Sequence, residues 1–243
     1  MRENIEPNQR GNISTQRVKP VWETKKGKRK IKVCGMRNPV NIEAVLDVGV
    51  HYMGFIFYES SARHIDEQAE LTLRSILPDL PFLSLQNNTK KVGVFVDAPK
   101  EYVLDKVEKF ELDYVQLHGR ESVFYCSALK KEGVKIIKAF SVDERFRFTN
   151  TDFYQFDCDY FLFDTKGAKR GGNGTQFNWD LLNQYDGKLP FFLSGGIGAA
   201  DIEAVQDFKH PQLHAIDVNS KFEIEPALKD VDLLKQFVQN FKK

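Results

Sequence analysis

Six places in this sequence carry side chains that could bind or move a proton, a carboxylate or a phosphate. Cys34 closes the run Lys30-Ile31-Lys32-Val33-Cys34 and is followed by Gly35 and a helix-start signal, Asn38-Pro39. A thiol there is either a small buried hydrophobe or a reactive group, and the stretch alone favours the buried hydrophobe. Asp164 ends the apolar run Tyr160-Phe161-Leu162-Phe163. A carboxyl at the mouth of a partly apolar site can act as a general acid; it can equally cap the next loop or pair with Lys166 or Lys169. Arg63, after Ser60-Ser61-Ala62, offers a fork for a carboxylate, or is a surface arginine. Gln116 and His118 end a fourth apolar run, where a histidine serves as acid, base or hydrogen-bonded lining. Gly195-Gly196 lets backbone N–H groups approach an anion at a helix start. Asp217, Asn219 and Ser220 follow the last apolar run, and Asn219 and Ser220 add donors.

These residues matter only if the fold gathers them. The periodicity predicts strands at Ile31–Cys34, Tyr52–Tyr58, Lys91–Val96, Tyr114–His118, Val134–Phe140, Tyr160–Asp164, Pro190–Leu193 and His214–Val218. Helices are predicted at Pro39–Val48, Asp66–Leu77, Pro99–Phe110, Glu121–Glu132, Asn178–Asn183, Ala199–Phe208 and Leu228–Phe241. Ser141–Asp157, aromatic and without a clean period, reads as loop with one short helical turn. Gly167–Gly174 reads as a glycine-rich loop. Alternating strands and helices imply a parallel sheet, and eight such units suit a closed (β/α)8 TIM barrel. An open doubly wound sheet is the competitor, but no GxGxxG follows the first strand. In a barrel, the C-terminal ends of the strands face one mouth, and every residue named above stands at such an end.

Composition narrows the partners. The chain has 243 residues, 42% hydrophobic and 28% charged, with a net charge of +1. That is a globular composition with little electrostatic reason to bind nucleic acid. Three cysteines, widely spaced and without CxxC, argue against a disulfide framework or zinc site and fit a reducing cytoplasm. No apolar run reaches membrane-spanning length and the polar N-terminus has no signal-peptide core. Residues 1–29 are polar and end in a basic cluster, Lys25 to Lys30. They read as a disordered or loosely attached extension beside a single catalytic domain at 30–243. Every apolar helix face has a barrel to cover, so the sequence is compatible with a monomer or a homodimer.

Seven runs, taken in order, resemble the phosphoribosylanthranilate isomerase family. They are Lys32-Val33-Cys34-Gly35; Gly54 to Tyr58 with Ser61-Ala62-Arg63; Val92 to Val96; Val115 to Gly119; Phe163-Asp164-Thr165; Gly171 to Gly174 with Phe177-Asn178-Trp179; and Leu193 to Ile197. No one run is specific; the ordered set is. The resemblance implies a cofactor-free Amadori rearrangement of a phosphosugar in tryptophan biosynthesis. It implies Cys34 as general base and Asp164 as general acid. Arg63 falls on the position that binds the anthranilate carboxylate. Gly195, Gly196, Asn219 and Ser220 fall on the phosphate site, the Gly171-Gly172 loop closes near the substrate, and Gln116, His118 and Asp217 line the pocket. One departure stands out: Lys221 replaces a glycine of the family, at the cost of strain if that position needs a positive φ.

Two other phosphosugar barrels fit less well. A ribulose-phosphate epimerase would want several metal-ligand histidines at strand ends, and only His118 stands at one. Indole-glycerol-phosphate synthase would want catalytic lysines on strands, and Lys138 reads as the one interior lysine. A catalytically silent phosphate-binding barrel, or one whose basic tail binds nucleic acid, is the alternative outside enzymes.

Overall fold

The computed structural model describes residues 29–79, 88–165 and 179–241. Eight strands carry the fold: β1 (Lys30–Val33), β2 (Tyr52–Ile56), β3 (Lys90–Phe95), β4 (Tyr114–Leu117), β5 (Ile136–Val142), β6 (Tyr160–Thr165), β7 (Phe191–Ser194) and β8 (Leu213–Val218). They close into one barrel in chain order, all neighbours parallel, with β8 paired back onto β1. The helices α1 (Pro39–Asp47), α2 (Glu67–Ile76), α3 (Lys100–Phe110), α4 (Val123–Lys131), α5 (Ile202–Asp207) and α6 (Val231–Phe241) follow strands 1–4, 7 and 8. The (β/α)8 expectation therefore holds. The extension up to residue 28, Lys166, Lys169 and the loop carrying Gly171 and Gly172 lie outside the described residues. Arg29, which its charge groups with the extension, is bonded to the barrel: its guanidinium donates to the carbonyls of Val205 and Phe208 at the end of α5, at 2.5 and 2.7 Å.

Strand alternation sorts the core into two layers. Tyr52, Val92, Ile137, Ala139, Leu162, Phe192 and Ala215 fill the barrel interior. Their neighbours, such as Ile31, Val33, Phe55, Phe95, Phe163 and Leu193, face the helices in a separate cluster. Asn38 caps α1 by accepting from Asn41 N–H at 3.0 Å, with Pro39 in the first turn.

Some elements differ from expectation. Ala199–Phe208 is a 3-10 turn, Ala199–Asp201, leading into the six-residue α5. After β6 the described helix is 3-10, Trp179–Gln184, and after β5 the aromatic segment forms a 3-10 helix over Phe148–Tyr154, seated by Phe148 on Phe163. These pieces are short and held by packing, where 3-10 geometry is common. The closing helix begins at Val231, because Asp230 caps it by accepting from Leu233 N–H at 3.0 Å. Leu228–Lys229 instead forms β10, paired antiparallel with β9 (Glu223–Glu225).

The N-terminal end of the barrel is plugged by Tyr52, Tyr114, Tyr160, Phe192 and His214, packed mostly edge to face, with the Tyr160–His214 contact tilted. The His214 imidazole pairs with Tyr52 Oη at 2.7 Å. Burial, with Lys30 and His51 nearby, pushes its pKa down to about 3. The unfolded chain therefore binds the extra proton between its ordinary value and that one. Stability should be full above about pH 6.5 and fall as pH drops through the window, by at most about 1.4 kcal/mol per pH unit. Thermal melts across that range should show a shallower pH dependence for His214→Gln; parallel curves for the two proteins would remove His214 as the cause.

Candidate active site

The mouth is organised by β1. Ile31 and Val33 face the helices, so Lys30, Lys32 and Cys34 point inward. Cys34 lies one residue past the strand, and its N–H continues the ladder to Val218 C=O at 2.9 Å. Beside it on β2, Gly54 has no side chain for a steric reason. A Cβ there would lie 2.7 Å from Cys34 Sγ and 3.1 Å from its Cα. Gly35 turns the chain at φ +78°, and a Cβ on it would strike Arg63 Cδ at 2.6 Å and Asn219 Oδ1 at 2.8 Å. The turn thus lets β1, the β2 loop and the β8 loop converge around the sulfur.

Lys32, two residues before the thiol, is fully buried, and its ammonium donates to Asp217 Oδ1 at 2.9 Å. Lys32 and Asp217 stand opposite each other in the β1–β8 register, which puts both on the inner face. Ser194 Oγ at the end of β7 donates to the other Asp217 oxygen at 3.4 Å. Burial pulls the Lys32 pKa down, but Asp217 and Cys34 outweigh it and hold the ammonium above its ordinary value. Burial pushes the Cys34 thiol up, against a downward pull from Lys32.

Across the mouth, Asp164 lies one residue before the end of β6, in register with Ser141 and Ser194. His118 Nε2 lies 3.4 Å from Asp164 Oδ2, and its Nδ1 lies 2.8 Å from Gln116 Nε2. With Gln116 Nε2 donating to Nδ1, the imidazole carries its proton on Nε2, facing the carboxylate. Gln116, His118 and Asp164 therefore form one file along the β4–β6 side.

Arg63 is not a free surface group. Its Nε and Nη2 grip Glu223, at 2.8 Å to Oε1 and 2.5 Å to Oε2. Glu223 also accepts from the buried Lys229 at 2.5 Å, and Lys229 donates to Asn219 Oδ1 at 2.7 Å. Among the described residues no hydrogen bond reaches Arg63 Nη1, which leaves one face of the fork for a ligand. Asn219, expected as a donor, has its oxygen committed to Lys229. Gly195 and Gly196 take φ +116° and +69°, and nothing would touch a Cβ on Gly196, so the need there is conformational. The expected helix-start contribution is weaker than the sequence suggests: Gly198 N–H is taken by Asp201 Oδ2 at 2.8 Å, and α5 is short. Ser220 begins a 3-10 turn after β8. Lys221 is not among the positive-φ residues, so replacing a glycine there stores no strain. Its Cβ would lie 3.2 Å from a Cβ on Gly198, which sets it beside the β7 loop.

Sequence reasoning missed Lys32, Glu223 and Lys229. The lysine it placed inside, Lys138, faces outward and is spent on Glu121 and the carbonyls of Leu117, Gly119 and Ala139. Lys32 is the lysine buried inside the barrel mouth beside the thiol. Its signal was present, since two-residue spacing from an inward Cys34 sets Lys32 on the same face. Lys229 was hidden inside an apparent helix.

Fold and mouth together define a class: a (β/α)8 barrel with a thiol, a carboxylate, ion-paired cations and glycine loops at the C-terminal ends of its strands. The family model described as N-(5'phosphoribosyl)anthranilate (PRA) isomerase matches residues 31–240. The PRA isomerase of Parabacteroides distasonis is 46% identical over 86% of this chain and 91% of its own, and that of Phocaeicola vulgatus 41% over 87% and 97%. The crystal structure of the Thermotoga maritima enzyme superposes with a TM-score of 0.73 at 32% identity, covering 88% of this chain and 98% of its own. A phosphoribosyl anthranilate isomerase structure holding reduced 1-(o-carboxyphenylamino)-1-deoxyribulose 5-phosphate gives a TM-score of 0.72 at 30% identity, over the same shares. The chain belongs to the N-(5'-phosphoribosyl)anthranilate isomerase family.

Proposed function

We propose that this chain isomerises N-(5'-phosphoribosyl)anthranilate to 1-(2-carboxyphenylamino)-1-deoxy-D-ribulose 5-phosphate, with Asp164 as acid and Cys34 as base. One observation carries the assignment of roles. Around the closed barrel, β7 and β8 lie between β6 and β1. A phosphate resting on the Gly195-Gly196 loop and the Asn219-Ser220 loop would thus leave its sugar ring with Asp164 on one side and Cys34 on the other. Asp164 donates its proton to the furanose ring oxygen, and the C1'–O bond breaks to leave an iminium. The Cys34 thiolate then takes the C2' proton, and the electron pair moves into the C1'–C2' bond to give an enolamine. Transfer of the 2'-hydroxyl proton to C1' gives the ketone, with no net change in oxidation of the whole molecule. Arg63, aimed by Glu223, meets the anthranilate carboxylate with its remaining Nη1 face. Gln116 and His118 line the pocket, and His118 hydrogen-bonds Asp164. Asp217 anchors Lys32, Lys221 adds charge beside the phosphate loop, and Gly171 and Gly172, outside the described residues, are assigned to substrate binding.

The free, buried state of all three cysteines supports a cytoplasmic location. Among the described residues no helix is long and apolar enough to cross a membrane. The test is loss of phosphoribosylanthranilate fluorescence on addition of the purified chain, with the product identified by mass and retention. Conversion no faster than the spontaneous decay would overturn the reading.

Gly54 gives a second check. Gly54→Ala forces the Cys34 sulfur and backbone to shift, and a displacement of about 1 Å at a reacting atom costs about 100-fold. Turnover should fall by that order while circular dichroism is unchanged. Full turnover in Gly54→Ala would mean the sulfur does not need its present position.

A further inference from the structure

The isomerisation asks Cys34 to remove a carbon-bound proton, yet the thiol is buried, and burial opposes its charged form. Something in the mouth must compensate a thiolate. The groups facing it can be named element by element. On β1 it is Lys32; on β8, Asp217; on the β2 loop, Arg63; on β10, Lys229; behind these last two, Glu223 on β9. Gly54, the nearest neighbour on β2, contributes only space. Three cations stand against two carboxylates, so this side of the mouth is short of one negative charge.

The cations are not equivalent. Arg63 and Lys229 share Glu223 on one side of the sulfur. Lys32 lies on the same strand as the thiol and the same inner face, beneath it in the barrel. Its ammonium is fully buried and fixed by Asp217 at 2.9 Å. A stranded ammonium in an apolar barrel would cost far more than it returns, and the cost is met only if its partners stay charged.

We propose that Lys32 is a positioning residue for the isomerisation, its buried ammonium serving as the counter-charge that lets the Cys34 thiolate form and holds it under the C2' carbon. Asp217 then has a task besides lining the pocket: through its bond from Ser194 and its ion pair with Lys32 it sets where that charge sits. The inference rests on the assignment of Cys34 as base. The electrostatics agree in direction, since Lys32 is the leading influence pulling the thiol down against burial, and Lys229 adds to it.

The test follows the ultraviolet absorbance of the thiolate through a pH titration, read as the difference between the chain and Cys34→Ser. Lys32→Met should move the midpoint upward by about 1 pH unit or more, the usual effect of an adjacent opposite charge. The ascending limb of kcat/KM against pH should move with it, kcat should fall, and KM should stay close to that of the parent. Lys32→Arg should restore part of the shift. Because Lys32→Met strands Asp217, the double variant Lys32→Met/Asp217→Asn, which strands no charge, is titrated alongside and should show a rise in the same direction, smaller because Asp217, which pushes the thiol up, is gone as well. An unmoved midpoint in the folded double variant would overturn the proposal even if the chain is an active isomerase. A raised midpoint in a chain that fails to isomerise phosphoribosylanthranilate would keep Lys32's effect on the thiol and overturn the assigned reaction instead.

Discussion

Cys34→Ser and Asp164→Asn are each expected to lower kcat by about 1,000-fold, within the range removed with a general base or acid. The two losses have different causes. Serine nearly matches cysteine in size, so it fits beside Gly54 without disturbing the turn. Its hydroxyl, however, does not ionise in the accessible pH range, and an alcohol cannot take a carbon-bound proton. Asparagine keeps the shape of Asp164 and can still pair with His118, now 3.4 Å from the carboxylate. It has no acidic proton to give to the ring oxygen, so ring opening stalls. Fluorescence loss of the substrate measures both. Near-full turnover in Cys34→Ser would remove the base assignment, and in Asp164→Asn the acid. The two variants should differ on a pre-opened analogue of the iminium, which needs only the base: Asp164→Asn should process it and Cys34→Ser should not.

Glu223→Ala should produce the largest loss of stability. The carboxylate is shared by Arg63 and Lys229, and the Lys229 side chain has no solvent exposure. Burial pushes the Glu223 pKa up, but hydrogen bonds from Arg63 and Lys229 outweigh it and hold it below the usual carboxylate range. Removing it leaves a buried ammonium hydrogen-bonded to Asn219 with no carboxylate partner among the described residues. Breaking such a pair costs about 3–5 kcal/mol, equivalent to a fall in Tm of about 10 °C for a chain of this size. Glu223→Gln, which keeps acceptor oxygen but no charge, should lose less. Binding should suffer with stability, because Arg63 loses the partner that aims it, and KM should rise several-fold in Glu223→Gln. A melt of Glu223→Ala within 2 °C of the parent, about 0.5–1 kcal/mol, would show that the cations find other partners. The sign with pH is also set: the folded pKa is depressed, so this stabilisation is present above the ordinary carboxylate pKa and lost as pH falls through the folded value.

Much of the mouth is legible from one dimension. Strand ends in a parallel barrel share one rim, so placing Cys34, Arg63, His118, Asp164, Gly195 and Asp217 at strand ends is nearly the same as placing them together. The glycines were legible as turns, and Gly35, Gly195 and Gly196 do take positive φ. The helix termini were less legible, because a cap such as Asp230 competes with an apolar periodicity that runs straight through it.

By itself the sequence determined the alternation of strand and helix, hence the parallel barrel, and the set of proton-transfer and anion-binding residues at its rim. These follow from local periodicity and residue chemistry. Only the tertiary structure decided which charges meet. Lys32 reaches Asp217 across 185 positions, and Arg63 reaches Glu223 across 160. No local pattern encodes such pairs; closing β8 onto β1 creates them. The same closure decided that Lys138 faces out and Lys32 faces in, because the inner face of a strand has meaning only once the barrel has an inside.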